Sequence, residues 1–369
     1  MSSIFSGAIK LSLFGQSHGE AIGMTLDGFP AGVTLDMAHI RQMLLRRAPG
    51  RGEFTSSRQE DDVPEILSGV WKGVTTGQPL TVIFRNQDAR PEDYPDMDVP
   101  RPGHADYTGH VHYFGHEDYR GGGHFSGRLT APVVFAGALC GQYLKSRGVT
   151  ITAHILRLGD VQDDSFLPLL TMENADRLAE MSLPVLRADL VPKMEETIRK
   201  AREQGDSVGG TIECRVDGLP AGLGAPFFDS VESVLSHLMF SIPAVKGVSF
   251  GEGFGFARLA GSQANDALRM QGDNITFQTN HSGGVQGGIT NGMPVVFQCA
   301  VRATPSIAME QQSVSLSRKE NAPVAVQGRH DPCILPRALP VVEAMAAIGV
   351  MSLWQERAGQ EGMQTGEKA

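Results

Sequence analysis

Six of the eleven histidines, His18, His104, His110, His112, His116 and His124, lie in two glycine-rich stretches. The first is Phe14-Gly15-Gln16-Ser17-His18-Gly19. The second runs from Arg101-Pro102-Gly103-His104-Ala105-Asp106 to Arg120-Gly121-Gly122-Gly123-His124-Phe125-Ser126-Gly127-Arg128. Imidazole titrates near pH ~6.5, so such side chains can give or take a proton at neutral pH. His110, His112 and His116 read as ordinary surface or hydrogen-bonding histidines. His110-x-His112 could set two rings on one face of a strand, but no HExxH or CxxC spacing accompanies it, and no metal site is expected. The glycine run before a helix starting near Thr130 could aim backbone N–H groups at an anion. It is not GxGxxG in a strand–turn–helix setting, and no P-loop lysine follows, so a Rossmann or Walker site is not supported.

Two more stretches can carry chemistry. Asn280-His281-Ser282-Gly283-Gly284-Val285-Gln286-Gly287-Gly288 is a third glycine-rich loop. Gly328-Arg329-His330-Asp331-Pro332-Cys333 leads through Pro336-Arg337 toward a helix. Arg41, Arg46, Arg47, Arg51 and Arg58 form a local basic run containing one acid, Glu53. The net charge of -9 argues against general nucleic-acid or membrane-surface binding, yet that run could hold a small anion.

The elements that must position these groups show an internal repeat. Asp27-Gly28-Phe29-Pro30-Ala31-Gly32-Val33 recurs as Asp217-Gly218-Leu219-Pro220-Ala221-Gly222-Leu223. Each copy follows a strand-like segment, 21–26 or 210–216. Each precedes a helical pattern: 37–47 after an Asp36 cap, and 231–240 after Asp229 or Ser230. Gly73-Val74-Thr75-Thr76-Gly77-Gln78-Pro79 and Gly288-Ile289-Thr290-Asn291-Gly292-Met293-Pro294 repeat in the same order, before strands at 80–84 and 295–300. Two ordered matches beside the same element types indicate an old duplication. We expect related halves at about 1–150 and 205–350, joined in one domain over 1–357, with 149–190 as an elaboration between them. A buried helix is expected over 131–145, another from Pro192 to Glu203 ending at Gly205, and a third opened by Pro340 from 341 to about 354. The polar segment 358–369 reads as disordered.

Taken in order from residue 14 to residue 350, these motifs resemble the chorismate synthase family. RPGHAD (101–106), GGVQGGITNG (283–292) and GRHDPC followed by PRA (328–338) carry the resemblance, which covers nearly the whole chain. It implies an α+β fold, a β-α-β sandwich with two pseudo-symmetric halves and helices between antiparallel sheets, assembled as a homotetramer. It also implies an anti-1,4 elimination of phosphate from 5-enolpyruvylshikimate 3-phosphate to give chorismate, with reduced FMN required and no net redox change. His18 then resembles the general acid for the departing phosphate, and His104 the histidine that controls the proton on the reduced flavin. Asp331, assisted by Ser17, would accept or relay the ring proton. Arg46, Arg47, Arg128 and Arg337 would hold carboxylates and phosphate. FMN contacts map onto His124, Phe125, Ser126, Ala244, Gly287, Arg302, Ala303, Thr304, Pro305, Ser306 and Arg329.

The sequence departs from the family pattern at Gln16, at His124-Phe125, at Arg302-Ala303 and at Ala48 after two arginines. A family arginine associated with the reducing nucleotide falls on Glu53, which leaves NADPH open as reductant. Rival readings are a divergent flavin-dependent paralogue and a non-catalytic flavin- or phosphate-binding module. The four cysteines, Cys140, Cys214, Cys299 and Cys333, form no CxxC pair and read as reduced thiols. No apolar run is read as long enough to span a membrane, and no leader pattern is read at the N-terminus, so a cytoplasmic protein is expected.

Overall fold

The computed structural model describes residues 3–50, 61–87, 98–168, 175–326 and 331–365. The N-terminal part forms β1 (Ile4–Ser6), β2 (Lys10–Gly15), β3 (Ala21–Asp27), α1 (Met37–Arg47), β4 (Glu65–Ser68), β5 (Val70–Trp71), β6 (Val74–Thr75) and β7 (Leu80–Arg85). After these come α2 (Asp106–His112) and α3 (Thr130–Lys145). The next part forms β8 (Thr150–Leu158), β9 (Val161–Gln162), α4 (Ala175–Glu180), α5 (Val191–Glu203), β10 (Gly210–Asp217), α6 (Val231–Phe240), β11 (Val245–Phe250) and α7 (Gly261–Ala264). The chain continues as β12 (Leu268–Gln271), β13 (Asn274–Phe277), β14 (Val285–Gln286), β15 (Ile289–Thr290), β16 (Val295–Val301), β17 (Gln311–Ser315), β18 (Glu320–Val324) and α8 (Leu335–Thr365).

Alternation decides which face of each sheet is buried. In the first sheet, ordered β1-β2-β3-β7-β4, Ile22, Met24 and Leu26 lie opposite Phe84, Val82 and Leu80, and all six are buried. In the second, ordered β11-β16-β10-β8-β9, Ile212, Cys214 and Val216 lie opposite Cys299, Phe297 and Val295. All strand pairs are antiparallel, and α3 and α8 pack between the two apolar faces: α3 against β3 and β7, α8 against β8 and β10. The two helices touch at Gly137, where a Cβ would lie 2.3 Å from the Ala344 Cα. A side chain there would push the helices apart. The architecture is α+β.

The repeated motifs build the same hydrogen-bonded turn twice. Thr75 Oγ1 donates to the Pro30 carbonyl at 2.7 Å and accepts from the Val33 N–H at 2.9 Å; Thr290 Oγ1 does the same with Pro220 and Leu223 at 2.7 and 2.9 Å. Gly32 and Gly222 donate to the carbonyls of Thr75 and Thr290. The strand sets β2-β3-β7-β4 and β8-β10-β16-β11 correspond in order.

Several expectations need correction. Residues 150–158 are not part of an elaboration, because β8 pairs along its length with β10 inside the second sheet. The last helix starts before Pro340 and runs to Thr365, past the expected stop at 354. An Arg357–Glu361 ion pair one turn apart and a Gln355 bond to the Gly28 carbonyl support its polar end, which is therefore helical through Thr365. That helix also has a stretch, 335–363, long and apolar enough to cross a membrane, contrary to the sequence reading. Its most apolar window is 83% buried among the sheets and helices of this fold, which is the position of a core helix. His110 and His112 sit on α2, a helix rather than a strand.

The segment after β9 covers the outer face of the second sheet and is locked to it by a buried charged network. His154 donates from Nδ1 to Asp163 (3.1 Å) and from Nε2 to Glu213 (3.0 Å), all three buried, with Phe166 against the ring. Two carboxylate partners require both ring nitrogens to carry hydrogen. Burial opposes that charge, but Asp163 and Glu213 outweigh it, so the His154 pKa is raised. A raised histidine pKa stabilises the fold fully below the unfolded value of ~6.5 and loses that contribution as pH rises through the folded value. Urea denaturation is therefore expected to show a midpoint that falls as pH rises above ~6.5, with His154→Gln flattening that slope. An unchanged slope in the variant would remove the network from the account.

Candidate active site

The loop after β2 brings His18 to the glycine run. Gly121, Gly122 and Gly123 all have positive φ, so the strip turns in a way side chains resist. Its bare face is occupied by imidazoles. A Cβ on Gly121 would lie 2.0 Å from the His18 ring, and one on Gly122 would lie 3.3 Å from His104 Nε2. The Ser17 N–H donates to the Gly123 carbonyl at 3.1 Å, and Ser17 Oγ lies 3.1 Å from His18 Nδ1. His18 and His104, far apart in sequence, thus meet neighbouring glycines of one strip. The glycines admit the two rings at Gly121 and Gly122.

A buried guanidinium cluster follows four residues further along the same segment. Arg128 pairs with Asp62 Oδ1, while Arg47 reaches Asp62 Oδ2 from Nε (3.1 Å) and Nη2 (2.5 Å). Burial opposes the charge on Asp62, but the two cations outweigh it and hold its carboxyl below the usual range. Burial, then the nearby Arg337 and Arg128 cations against the pull of Asp62, pushes Arg47 down to about 10. Arg337 donates to the Arg47 carbonyl at 3.0 Å and pairs with Asp331. Asn86 ties the parts together: its Nδ2 donates to the Gln16 and Gly19 carbonyls, and its Oδ1 accepts from Arg128 Nε. Three guanidinium groups around two carboxylates leave local positive charge for an anion.

Arg46 does not join this cluster. Its fork is taken by Glu343 on α8 at 2.6 and 3.2 Å, and Glu343 also accepts the Ala153 N–H. That pair fastens α1 to α8 and β8. His124 is likewise engaged, with Nδ1 on the Gly15 carbonyl (2.9 Å) and Nε2 on Ser3 Oγ (2.7 Å). Phe125 lines a cavity of about 300 Å³ with Asp106, Glu117, Asp118, Tyr113 and Gly122. Those carboxylates suit no phosphate. Ser126 caps the turn that carries Arg128.

The remaining expected cofactor residues come from the second half. Ala244 has φ 74° and its carbonyl accepts from the Arg302 N–H. Arg302 reaches across to the Gly103 carbonyl at 2.7 Å, and Ser306 Oγ accepts from Arg101 at 3.3 Å. Ala303 receives the Arg302 Nε, and Pro305 the Gln311 amide. Thr304 Oγ1 is buried with no partner among the described residues. Gly287 has φ 61° and open space where a side chain would stand. Arg329 and Glu53 lie outside the described residues. Burial pushes the Cys333 thiol up to about 12, so it is no nucleophile. Sequence reasoning assigned no role to Asp62, Asn86, Arg101, Asp106 or Glu343. Asp106 was visible inside RPGHAD; Asp62 had only a run of acids as its signal.

Comparison with known proteins decides the family. The sequence model described as chorismate synthase matches residues 9–354. The chain belongs to the chorismate synthase family. It is 43% identical over 356 residues to the chorismate synthase of Thermococcus gammatolerans, covering 96% of this chain and 98% of that one. The chorismate synthase of Opitutus terrae is 42% identical over 365 residues, covering 98% and 99%. A solved structure titled "Crystal Structure of Chorismate Synthase" superposes with a TM-score of 0.75 at 28% identity, over 95% of this chain and 92% of that chain. Chorismate synthase similarity therefore spans the glycine strip, the guanidinium cluster and both sheets.

Proposed function

We propose that the chain converts 5-enolpyruvylshikimate 3-phosphate to chorismate by eliminating phosphate, with reduced FMN as cofactor. The observation that carries this reading is the glycine strip, where His18 meets Gly121 and His104 meets Gly122, followed in the chain by Arg128 of the buried cationic cluster. Arg47, Arg128 and Arg337 hold the substrate's anionic groups, with Arg46 kept for Glu343. His18, steadied at Nδ1 by Ser17, donates a proton to the departing phosphate; a well-placed acid supplies ~10²–10⁴-fold. Asp331, beside Arg337, accepts or relays the ring proton with Ser17.

FMN fits the residues of the second half: a buried Thr304 hydroxyl without a partner among the described residues, the Arg302 cation, and open space beside Gly287. When bound in its reduced form it supplies transient electron density to the substrate. His124, expected at the flavin phosphate, bonds to the Gly15 carbonyl and Ser3 Oγ. Large exposed side chains at Trp71, Phe114, Phe227, Phe228 and Phe254 suit subunit contacts, in line with a homotetramer. Four buried free thiols suit a reducing cytoplasm.

An anaerobic assay tests the reading. Purified protein with dithionite-reduced FMN and 5-enolpyruvylshikimate 3-phosphate is expected to release phosphate and chorismate, while oxidised FMN alone gives neither. An arm with NADPH and oxidised FMN reports whether the chain reduces its own flavin. No product with reduced FMN overturns the proposal in favour of the paralogue or the binding module.

A further inference from the structure

We infer that Asp106, held by Arg101, is a positioning residue that fixes the tautomer and direction of His104. The inference deepens the functional reading above and rests on the role that the family resemblance implies for His104, control of the proton on the reduced flavin. His104 Nδ1 lies 2.5 Å from Asp106 Oδ1, a separation that requires a proton between nitrogen and carboxylate. Nδ1 therefore carries hydrogen. Arg101 Nη2 lies 3.1 Å from the same nitrogen, but with Nδ1–H aimed at Asp106 that approach is a contact, not a hydrogen bond. The other ring nitrogen, Nε2, faces the strip at Gly122, the neighbour of the Gly121 that meets the His18 ring.

Asp106 is itself immobilised. Arg101 grips it with Nε on Oδ2 (2.7 Å), Nη2 on Oδ1 (2.8 Å) and its backbone N–H on Oδ2 (3.0 Å). Arg101 Nη1 reaches Ser306 Oγ at 3.3 Å, so the clamp extends to the expected cofactor stretch of the second half. Burial opposes the Asp106 charge, but bonds from Arg101 and His104 outweigh it and hold the carboxyl far below the usual range. It therefore stays an acceptor at working pH. A fixed carboxylate on one nitrogen is a general way to select which imidazole nitrogen faces the chemistry and to steady the cation that forms there. The RPGHAD stretch closes this unit within six residues, with Gly103 making the turn at φ 72° under the Arg302 guanidinium.

The test is Asp106→Asn, which keeps shape but lets an amide N–H face Nδ1. Nitrogen-15 NMR of labelled histidine is expected to show His104 with hydrogen on Nδ1 in the native protein and on Nε2 in the variant. Turnover with reduced FMN is expected to fall roughly 10²-fold, with KM nearly unchanged and a displaced pH profile. Asp106→Glu should restore part of the rate. Native protein with hydrogen on Nε2 alone overturns the inference, and that reading needs no variant. An unchanged tautomer in a folded Asp106→Asn protein overturns it as well. A tautomer that switches while turnover stays whole upholds the positioning role and instead refutes the catalytic role of His104.

Discussion

His18→Ala and His104→Ala are each expected to lower turnover at least ~10²-fold while leaving flavin binding in place. The His18 ring lies against Gly121 and the His104 ring against Gly122, while Asp62 and Glu343 hold the cationic cluster and the helices through arginines. Their removal takes away proton-transfer groups without leaving a buried charge unpaired. Single-turnover assays with reduced FMN, beside a flavin titration, separate the two effects. Full activity in either variant shows that its assigned role is wrong.

Replacing Asp62 with alanine is expected to destabilise the fold by about 3–5 kcal/mol, the usual cost of removing one member of a buried ion pair. Asp62 is the shared partner of Arg47 and Arg128, and all three are buried. Without it, Arg47 and Arg128 lose the carboxylate they share, while Asp331 still pairs with Arg337. Urea denaturation at neutral pH measures the loss. Added phosphate should recover part of it, because an anion bound in that cluster supplies the missing charge to the folded state alone. The paired Asp62 has a lowered pKa, so its contribution is present above the unfolded value of ~3.9 and is lost as pH falls. A variant as stable as the parent, with no response to phosphate, removes the cluster as an anion site.

Local signals in the sequence were read correctly where one residue governs the outcome. Asp36 caps α1 by accepting from the Ala38 and His39 N–H groups, and Ser230 caps α6. The ordered repeats revealed the paired turns because Thr75 and Thr290 act through neighbours in their own motifs. What escaped was chosen by tertiary contact. Asp62 lies in an unremarkable acidic run until Arg47 and Arg128 converge on it. Arg46 and Arg47, adjacent in sequence, point to different partners because successive helix positions face about 100° apart. The buried His154 pair could not be read because Asp163 and Glu213 come from separate strands and loops. The end of α8 was misjudged from composition alone, since its polar last turns gain support from Gly28, far away in sequence.

The place of α8 has a consequence for how the protein is made. The helix that fills the centre, against α3, β8 and β10, comes after all three in the chain. Until it is made, the second sheet keeps part of its inner apolar surface in water. The N-terminal half alone therefore cannot complete this core, and a chain short of α8 carries exposed apolar surface of the kind that makes folding intermediates prone to aggregate.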